Sequence, residues 1–530
     1  MAAQAGERLL PSVVDEIART DPLRVFFSVT KTKNPADGFE DIDARMFARA
    51  VDRFAWYIDE NLGRGHDFPT LTYIGPQDLI YGIAVLACIK TGYKLLLTSP
   101  RNTLESHLHL LEKTDCKTLI TPINFPLPAV KQILTARPMR HVEVPGVRHW
   151  LDGKADERPY PYKKTFAEAK GEPFVVLHTS GSTGLPKPIV QTHATISPLD
   201  AYTTLPSLGY PPSHPPDKKG RRMYLTFPLF HCAGIHTLLP YSIFMGFTVV
   251  YGPFPPTTDI VNEVLVYGDV DHLAAAPQTL IELANHPEYR ENLGRLELIS
   301  YGGGPLPKAV GDFITTKTHL ANGLGSTECG IFTNYIGDKE DWPYLGFHLV
   351  SGCEFRHVSG DLYEQIIVRK PEIERFQGIF GTFPELTEWS MKDLYSKHPT
   401  KEDFWLYRGR ADDIIVFSTG EKLNPLDMES IINSNPGVSA AIVSGLGRFQ
   451  SSLLVEAVKP PNDDVEKEKL MNVIWPSVEA ANKESPSYGR IHRHMIIFTS
   501  PNKPMLRAGK GTVQRKMTTD MYAPELDALY

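Results

Sequence analysis

The chain has 530 residues, enough for roughly three or four compact units and for cores that need no covalent staples. Hydrophobic residues make up 42% and charged residues 22%, ordinary values for a globular protein, and a net charge of −7 leaves no basic field to hold nucleic acid. The five cysteines are scattered and never spaced as CxxC, which argues against a disulfide framework or a zinc site and for a reducing compartment. The first residues lack a cationic leader followed by an apolar stretch, so secretion is not expected. A cytoplasmic protein without membrane or nucleic-acid partners is expected.

Strand-like and helical segments alternate along the chain. Residues 81–90 read as a buried helix, 94–97 as a short apolar strand, 104–113 as an amphipathic helix and 118–121 as a strand. The most apolar window, residues 236–253, contains Pro240 and Gly246 and reads as a buried helix followed by a strand rather than a membrane span. Residues 248–251, 273–276 and 296–300 read as buried strands. This alternation predicts an α/β fold with parallel sheets covered on both faces. Basic residues cluster at 218–222 after a proline-rich stretch, and a solvated loop is expected there. Near Arg410 the character changes: strands at 414–417, 440–444 and 494–498 and a helix at 426–432 predict a small α+β domain. The expected division is a large core at 1–411 and a small domain at 412–530.

The most informative stretch is 173–193, PFVVLHTSGSTGLPKPIVQTH. An apolar strand at 174–177 enters Thr179-Ser180-Gly181-Ser182-Thr183-Gly184, and a second strand starts near Ile189. Gly181 and Gly184 allow close approach of main-chain N–H groups, the hydroxyls of Thr179, Ser180, Ser182 and Thr183 add donors, and Lys187 adds a point charge. Together they suit a polyphosphate. A Walker loop is excluded, because Pro186 and Pro188 flank the lysine and block the helix that motif requires.

This TSGSTGLPK stretch resembles the signature of the adenylate-forming superfamily, which includes acyl- and aryl-CoA synthetases, nonribosomal peptide synthetase adenylation domains and luciferases. Further stations follow in order. Asn322-Gly323-Leu324-Gly325-Ser326-Thr327-Glu328 is similar to the NxYGxTE motif, with Leu324 where most relatives stack an aromatic ring on adenine. Gly360-Asp361-Leu362 resembles GEL. Asp393-Leu394 stands where the family has TGDL, with Met391-Lys392 replacing Thr-Gly. Gly409-Arg410-Ala411-Asp412-Asp413 matches GRxDD, and Gly509-Lys510 matches the terminal GK, although its arginine is Arg515, five residues on, which leaves Lys516 as an alternative. The resemblance implies a large body of stacked, mostly parallel sheets and a small mobile C-terminal lid pivoting at Asp412.

The resemblance also implies chemistry. ATP and Mg²⁺ would be bound, the loop 179–187 taking the β- and γ-phosphates, with Asn322, Gly323 and Leu324 at the nucleotide. Glu328 would ligate Mg²⁺ and Thr327 would bond the α-phosphate. Asp393 and Arg410 would hold the ribose, and Lys510 would bridge the attacking carboxylate and the α-phosphate.

For the acid, residues 227–234 (FPLFHCAG) are expected to line the pocket. They lack the aspartate with which amino-acid-activating relatives neutralise a buried α-ammonium. His231 resembles the pocket histidine of aryl-acid enzymes and is expected to take part beside Cys232. Opposite, Tyr301-Gly302-Gly303-Gly304 would form a bare wall next to Ala274-Ala275-Ala276-Pro277, with Gly325 and Ser326 completing a slot suited to a flat ring. An aryl acid is expected.

A finer resemblance is to the adenylation domains of fungal synthetase-like carboxylate reductases, which pass the acyl group to a phosphopantetheinylated carrier domain. The chain holds no carrier serine motif and no Rossmann glycine loop, so an excised domain or a free-standing ligase is expected, without reductase activity of its own. Two alternatives stay open: a free aryl- or acyl-CoA ligase, and an inactive nucleotide- or acid-binding module.

Overall fold

The computed structural model describes residues 4–126, 128–152, 158–179, 185–211, 220–332, 334–507 and 513–530. The chain packs as two compact units. The first comprises Met1–Gly304, Val310–Cys353 and Val368–Trp389, and the second Pro305–Ala309, Glu354–Ile367 and Ser390–Tyr530.

The first unit contains two large sheets. One has seven strands in the order His319–Gly323, Leu298–Gly302, His272–Ala275, Arg222–Leu225, Thr248–Tyr251, Val25–Thr30 and Phe39–Asp43. All neighbours are parallel except the last pair, an antiparallel edge. The other has six strands in the order Arg140–Val144, Thr118–Pro122, Thr70–Tyr73, Lys94–Leu97, Pro173–Thr179 and Lys187–Thr192. It too is parallel except for its last pair. These are the parallel-rich sheets that the alternation of elements predicts.

Between them lies the helix Ile80–Thr91, all of whose residues are buried. It is apolar on every side because it has no solvent face to present. One continuous core joins its side chains to Phe27 and Val249 of the seven-stranded sheet and to Leu71 and Leu95 of the six-stranded one. Its single charge, on Lys90, is neutralised by Asp15 and Asp52, each 2.7 Å away.

Several elements match their expected bounds, notably Lys94–Leu97, Leu104–Lys113 and Thr248–Tyr251. Others shift: the strand expected at 296–300 runs Leu298–Gly302, and that at 414–417 shortens to Ile415–Val416. The apolar window at 236–253 opens with a wide-turn helical segment, Thr237–Tyr241, around Pro240 before its strand. Arg222, expected in a solvated loop, instead begins a strand. Its guanidinium donates to the Gly268 carbonyl and the Ser28 hydroxyl. No helix of the described residues is long and apolar enough to cross a membrane.

The second unit contains the strands Phe404–Arg410, Glu388–Lys397, Leu362–Val368 and Cys353–Ser359 in that spatial order, and a three-stranded sheet of Val438–Ser444, Ser451–Ala457 and Ile491–Phe498. The helices Leu426–Asn433 and Asp464–Glu484 close a core of Met428, Ile432, Leu453, Ile474 and Val478 on the three-stranded sheet.

Candidate active site

Parallel strands expose their carboxyl ends along one edge, where the loops that follow them gather. In the seven-stranded sheet, Arg222–Leu225 leads into residues 226–232, His272–Ala275 into Ala276-Pro277, Leu298–Gly302 into 303–304, and His319–Gly323 into 324–328. Sequence reading had picked these loops out separately for the acyl pocket and the nucleotide. The topology brings them to one edge.

Tyr301 and Asn322 are register partners, as are Gly302 and Gly323. A Cβ on Gly302 would sit 2.8 Å from the Gly323 carbonyl oxygen, so the close approach of these two strand ends requires a bare backbone. A Cβ on Gly304 would lie 3.9 Å from Pro277 Cγ, which places the glycine segment beside the start of the helix Pro277–Asn285.

Beyond Leu324, Gly325–Ser326 and Gly330–Ile331 pair as a two-residue antiparallel hairpin. Thr327 and Glu328 occupy its turn, both half-buried. Three side chains reach the main chain of this turn: Cys232 Sγ lies 3.6 Å from the Ser326 carbonyl, Gln191 Nε2 donates to the Thr327 carbonyl at 2.8 Å, and Thr382 Oγ1 donates to the Glu328 carbonyl at 2.7 Å. Gln191 and Thr382 were not singled out in the sequence. For the first, the available signal was an amide side chain directly after the apolar pair Ile189-Val190. For Thr382, 54 residues from Glu328, there was none.

His231 caps the helix Cys232–His236, its Nδ1 accepting the Ala233 N–H at 3.3 Å. That bond commits Nδ1 to the main chain and places the ring hydrogen on Nε2. Cys232 follows as a buried thiol.

In the other sheet, Pro173–Thr179 and Lys187–Thr192 form a hairpin closed by the pair Thr179 and Lys187. Lys187 is exposed and Thr179 half-buried. Pro188 costs the sheet nothing, because its strand is the edge and needs no N–H there. Ser180, Gly181, Ser182, Thr183 and Gly184 lie outside the described residues. Two residues before them, His178 accepts the Ser99 N–H at Nε2, 3.2 Å away, and burial holds its imidazole down to about 4, hence neutral.

In the second unit, Asp393 and Arg410 are register partners on adjacent strands. Arg410 Nη1 lies 3.7 Å from Asp393 Oδ1 and Nη2 lies 3.6 Å from Asp412 Oδ2, so one guanidinium spans both carboxylates. Asp393 is buried, whereas Arg410 and Asp412 are exposed. A bulge follows at Leu394/Tyr395, and Lys392 takes φ +60, a left-handed conformation that glycine adopts without strain. The departure of Met391-Lys392 from Thr-Gly thus falls on a position whose backbone favours glycine.

Lys510 lies outside the described residues, but its flanks are anchored. Arg507 and Val513 form an isolated antiparallel bridge, and Arg507 pairs with Glu456 at 2.5 Å. Arg515 reaches Glu429 at 2.5 Å and Asp413 at 3.2 Å and donates to the Val443 carbonyl at 3.0 Å. Lys516, the alternative to Lys510, pairs with Asp520 one helical turn on.

Comparison with known proteins agrees with this architecture. The AMP-binding enzyme family matches residues 18–360, and the AMP-binding enzyme C-terminal domain matches residues 412–530. The carboxylic acid reductase of Neurospora crassa is 37% identical over 546 residues, covering 99% of this chain and 51% of that protein. The isocyanide synthase-NRPS hybrid crmA of Aspergillus fumigatus is 35% identical, over 99% of this chain and 34% of its own length. Adenylate-forming reductase Nps11 of Serpula lacrymans is 32% identical, over 99% and 49%. The chain therefore spans about half the length, or less, of these relatives.

Among solved structures, the anthranilate CoA ligase AuaEII in complex with anthranoyl-AMP superposes with a TM-score of 0.73 at 15% identity, covering 99% of this chain and 98% of that one. The O-succinylbenzoate CoA synthetase MenE of Bacillus subtilis, in complex with AMP, gives 0.69 at 20% identity, covering 96% and 97%. These two likenesses concern the fold. With the family's model covering most of its length, the chain belongs to the AMP-binding enzyme family and is an adenylate-forming enzyme.

Proposed function

We propose that the chain activates an aryl carboxylic acid with ATP and passes the acyl group to the phosphopantetheine thiol of a carrier domain, as the adenylation part of a synthetase-like carboxylate reductase. The observation that carries this reading is the gathering of the 227–232 segment, Pro277, the 302–304 glycines and the Thr327–Glu328 turn at one carboxyl edge of a parallel sheet. The names of the relatives, carboxylic acid reductase and adenylate-forming reductase, support the reductase context.

In the first half-reaction a carboxylate oxygen of the acid attacks the α-phosphorus of ATP. The bond from that phosphorus to the bridging oxygen breaks, and pyrophosphate leaves with the electron pair. In the second, a thiolate sulfur attacks the acyl carbon and AMP leaves. Two anions must meet in the first step, so the protein's task is to neutralise and align them.

Thr179–Gly184 and Lys187 take the β- and γ-phosphates, and Thr327 donates to the α-phosphate. Asp393 accepts from the ribose hydroxyls, with Arg410 holding the Asp393 carboxylate. Lys510 meets the attacking carboxylate and the α-phosphate, carried by a lid of residues 412–530 with Asp412 as pivot. Magnesium supplies charge neutralisation at the phosphates. Glu328 would hold it, a single carboxylate being enough for a cation that takes few ligands from the protein. Among the described residues no group of three or more His, Cys, Asp or Glu would hold a metal by itself.

The absence of an acidic side chain from residues 227–234 speaks against an α-ammonium, and the side-chain-free segment Gly302-Gly303-Gly304 favours a flat ring. The test is ATP-dependent pyrophosphate release across benzoic, cinnamic, fatty and amino acids. Release with aryl acids alone is expected, and release confined to amino or fatty acids overturns the pocket assignment. Offering the adenylated enzyme CoA or a phosphopantetheinylated carrier then decides the acceptor. Efficient thioester formation on CoA alone sinks the carrier reading in favour of a free ligase.

A further inference from the structure

The hairpin that presents Thr327 and Glu328 cannot hold its own shape. Each of its strands is two residues long and each contains a glycine, and an isolated two-stranded pair of that size is marginal in water. Its geometry must be imposed from behind, and the donors to its carbonyls show where.

Gln191 is fully buried on the strand Lys187–Thr192. Its Nε2 donates to the Thr327 carbonyl at 2.8 Å, 136 residues away in sequence. Its Oε1 faces His236 Nε2, also at 2.8 Å. A carbonyl only accepts, so the amide nitrogen must point to Thr327 and the amide oxygen to the imidazole. His236 must therefore carry its hydrogen on Nε2. His236 is itself fully buried, packed edge-on against Phe174, and burial pushes its imidazole down to about 3, so it stays neutral and keeps that tautomer.

The strand that carries Gln191 begins at Lys187, the basic end of the hydroxyl-rich loop. One side chain thus ties the element proposed to take the β- and γ-phosphates to the turn proposed to take the α-phosphate and magnesium. We propose that Gln191, oriented by His236, is a positioning residue for adenylation that fixes the Thr327 main chain relative to the strand Lys187–Thr192. This rests on the roles proposed above for Thr327 and Lys187.

The experiment uses the full chain with Gln191→Met, close in volume but without donor or acceptor, and Gln191→Glu. For Gln191→Met, kcat for ATP–pyrophosphate exchange falls about tenfold to a hundredfold, the cost of a misplaced reacting group, with KM for the acid held within about twofold. Amide hydrogen exchange rises in residues 325–332 and not elsewhere. Gln191→Glu regains activity as pH falls from about 8.5 to 6.5, because only the protonated carboxyl donates to the Thr327 carbonyl while accepting from His236. A packing defect gives no such pH profile.

A Gln191→Met enzyme with kcat within about twofold of the parent and unchanged exchange at 325–332 overturns the inference. So does a general rise in exchange across the chain, which marks a folding defect instead. If the parent itself catalyses no exchange with any acid, the proposed function falls, and amide exchange at 325–332 alone still decides whether Gln191 holds the turn.

Discussion

Asp393 lies directly across a strand pair from Arg410, with the guanidinium 3.7 Å from its carboxylate and 3.6 Å from that of Asp412. In the proposed role this buried carboxylate, beside an exposed cation, accepts from the ribose diol. Asp393→Asn is therefore expected to raise KM for ATP about tenfold while shifting the melting temperature little, because the amide keeps the shape and loses the charge-assisted acceptor. Arg410→Ala should give a smaller rise, and the two effects should be non-additive because the residues touch. ATP titrations of pyrophosphate exchange for both singles and the double variant check this. Strict additivity would show that they do not act as a unit.

Lys510→Ala is expected to lower the adenylation rate about a hundredfold or more, as for loss of one group stabilising developing charge. Binding of ATP by equilibrium dialysis should change little. Normal exchange in Lys510→Ala, with loss in Lys516→Ala, would move the role to Lys516.

Two glycines of one segment, Gly302 and Gly304, should respond differently to the same substitution. Gly302→Ala drives a methyl to 2.8 Å from the Gly323 carbonyl, main chain that cannot yield locally, and should lower both stability and activity. Gly304→Ala makes only ordinary contact, 3.9 Å from Pro277 Cγ. It should leave the melting temperature unchanged and raise KM selectively for the larger ring acids. Equal effects of the two on melting would contradict this geometry.

Arg515→Met leaves Glu429 buried without its cation, a change that typically costs about 3–5 kcal/mol. Burial already raises the folded Glu429 carboxyl above its ordinary value, against the pull of Arg515, and removing the arginine raises it further. A carboxyl with a raised folded value binds its proton more tightly folded than unfolded, so the variant's deficit shrinks as pH falls from about 8 to 5. Urea melts of variant and parent at both pH values measure it. A pH-independent deficit would mean that Glu429 is not the group left behind.

Acid should unfold the first unit through its histidines. Burial holds His107, His178 and His193 down to about 4, and His236 and His272 down to about 3. The unfolded chain takes up these protons near 6.5 and the folded chain does not, so stability is full above about pH 6.5 and drains away as pH falls toward 4. His107 has no hydrogen-bond partner at either ring nitrogen among the described residues. His107→Leu should flatten the dependence of unfolding free energy on pH by about one proton at no cost at pH 7.5. An unchanged slope would count against it.

Much of this fold could be read from the sequence where the signal was local. The helix Leu104–Lys113 shows its apolar stripe, and Lys94–Leu97 and Thr248–Tyr251 are short apolar runs bounded by turns. The segment 180–184 stood out by composition, and the strands expected on either side of it are observed as the hairpin Pro173–Thr179 and Lys187–Thr192. What the sequence withheld were long-range decisions. Nothing near Gln191 says that it faces a carbonyl 136 residues later, and nothing near Thr382 says that it holds Glu328. The segment 236–253 hid its wide helical turn for a different reason: Pro240 removes a donor, and tertiary packing chose how the backbone absorbed the loss. At Lys392 the sequence showed a departure from a motif, and only the backbone angle gave it a physical meaning.

The parallel order of the seven-stranded sheet has a consequence for how such a protein diversifies. Each loop at its carboxyl edge grows from its own strand, and each strand is locked into the sheet by neighbours that contribute different loops. Residues 303–304 can therefore be rewritten without disturbing the turn at 327–328, whereas the segment 226–232 stays coupled to that turn through Cys232. Selection for a new acid, in nature or in a library, has separable dials, and the chemistry of activation is left on a different one.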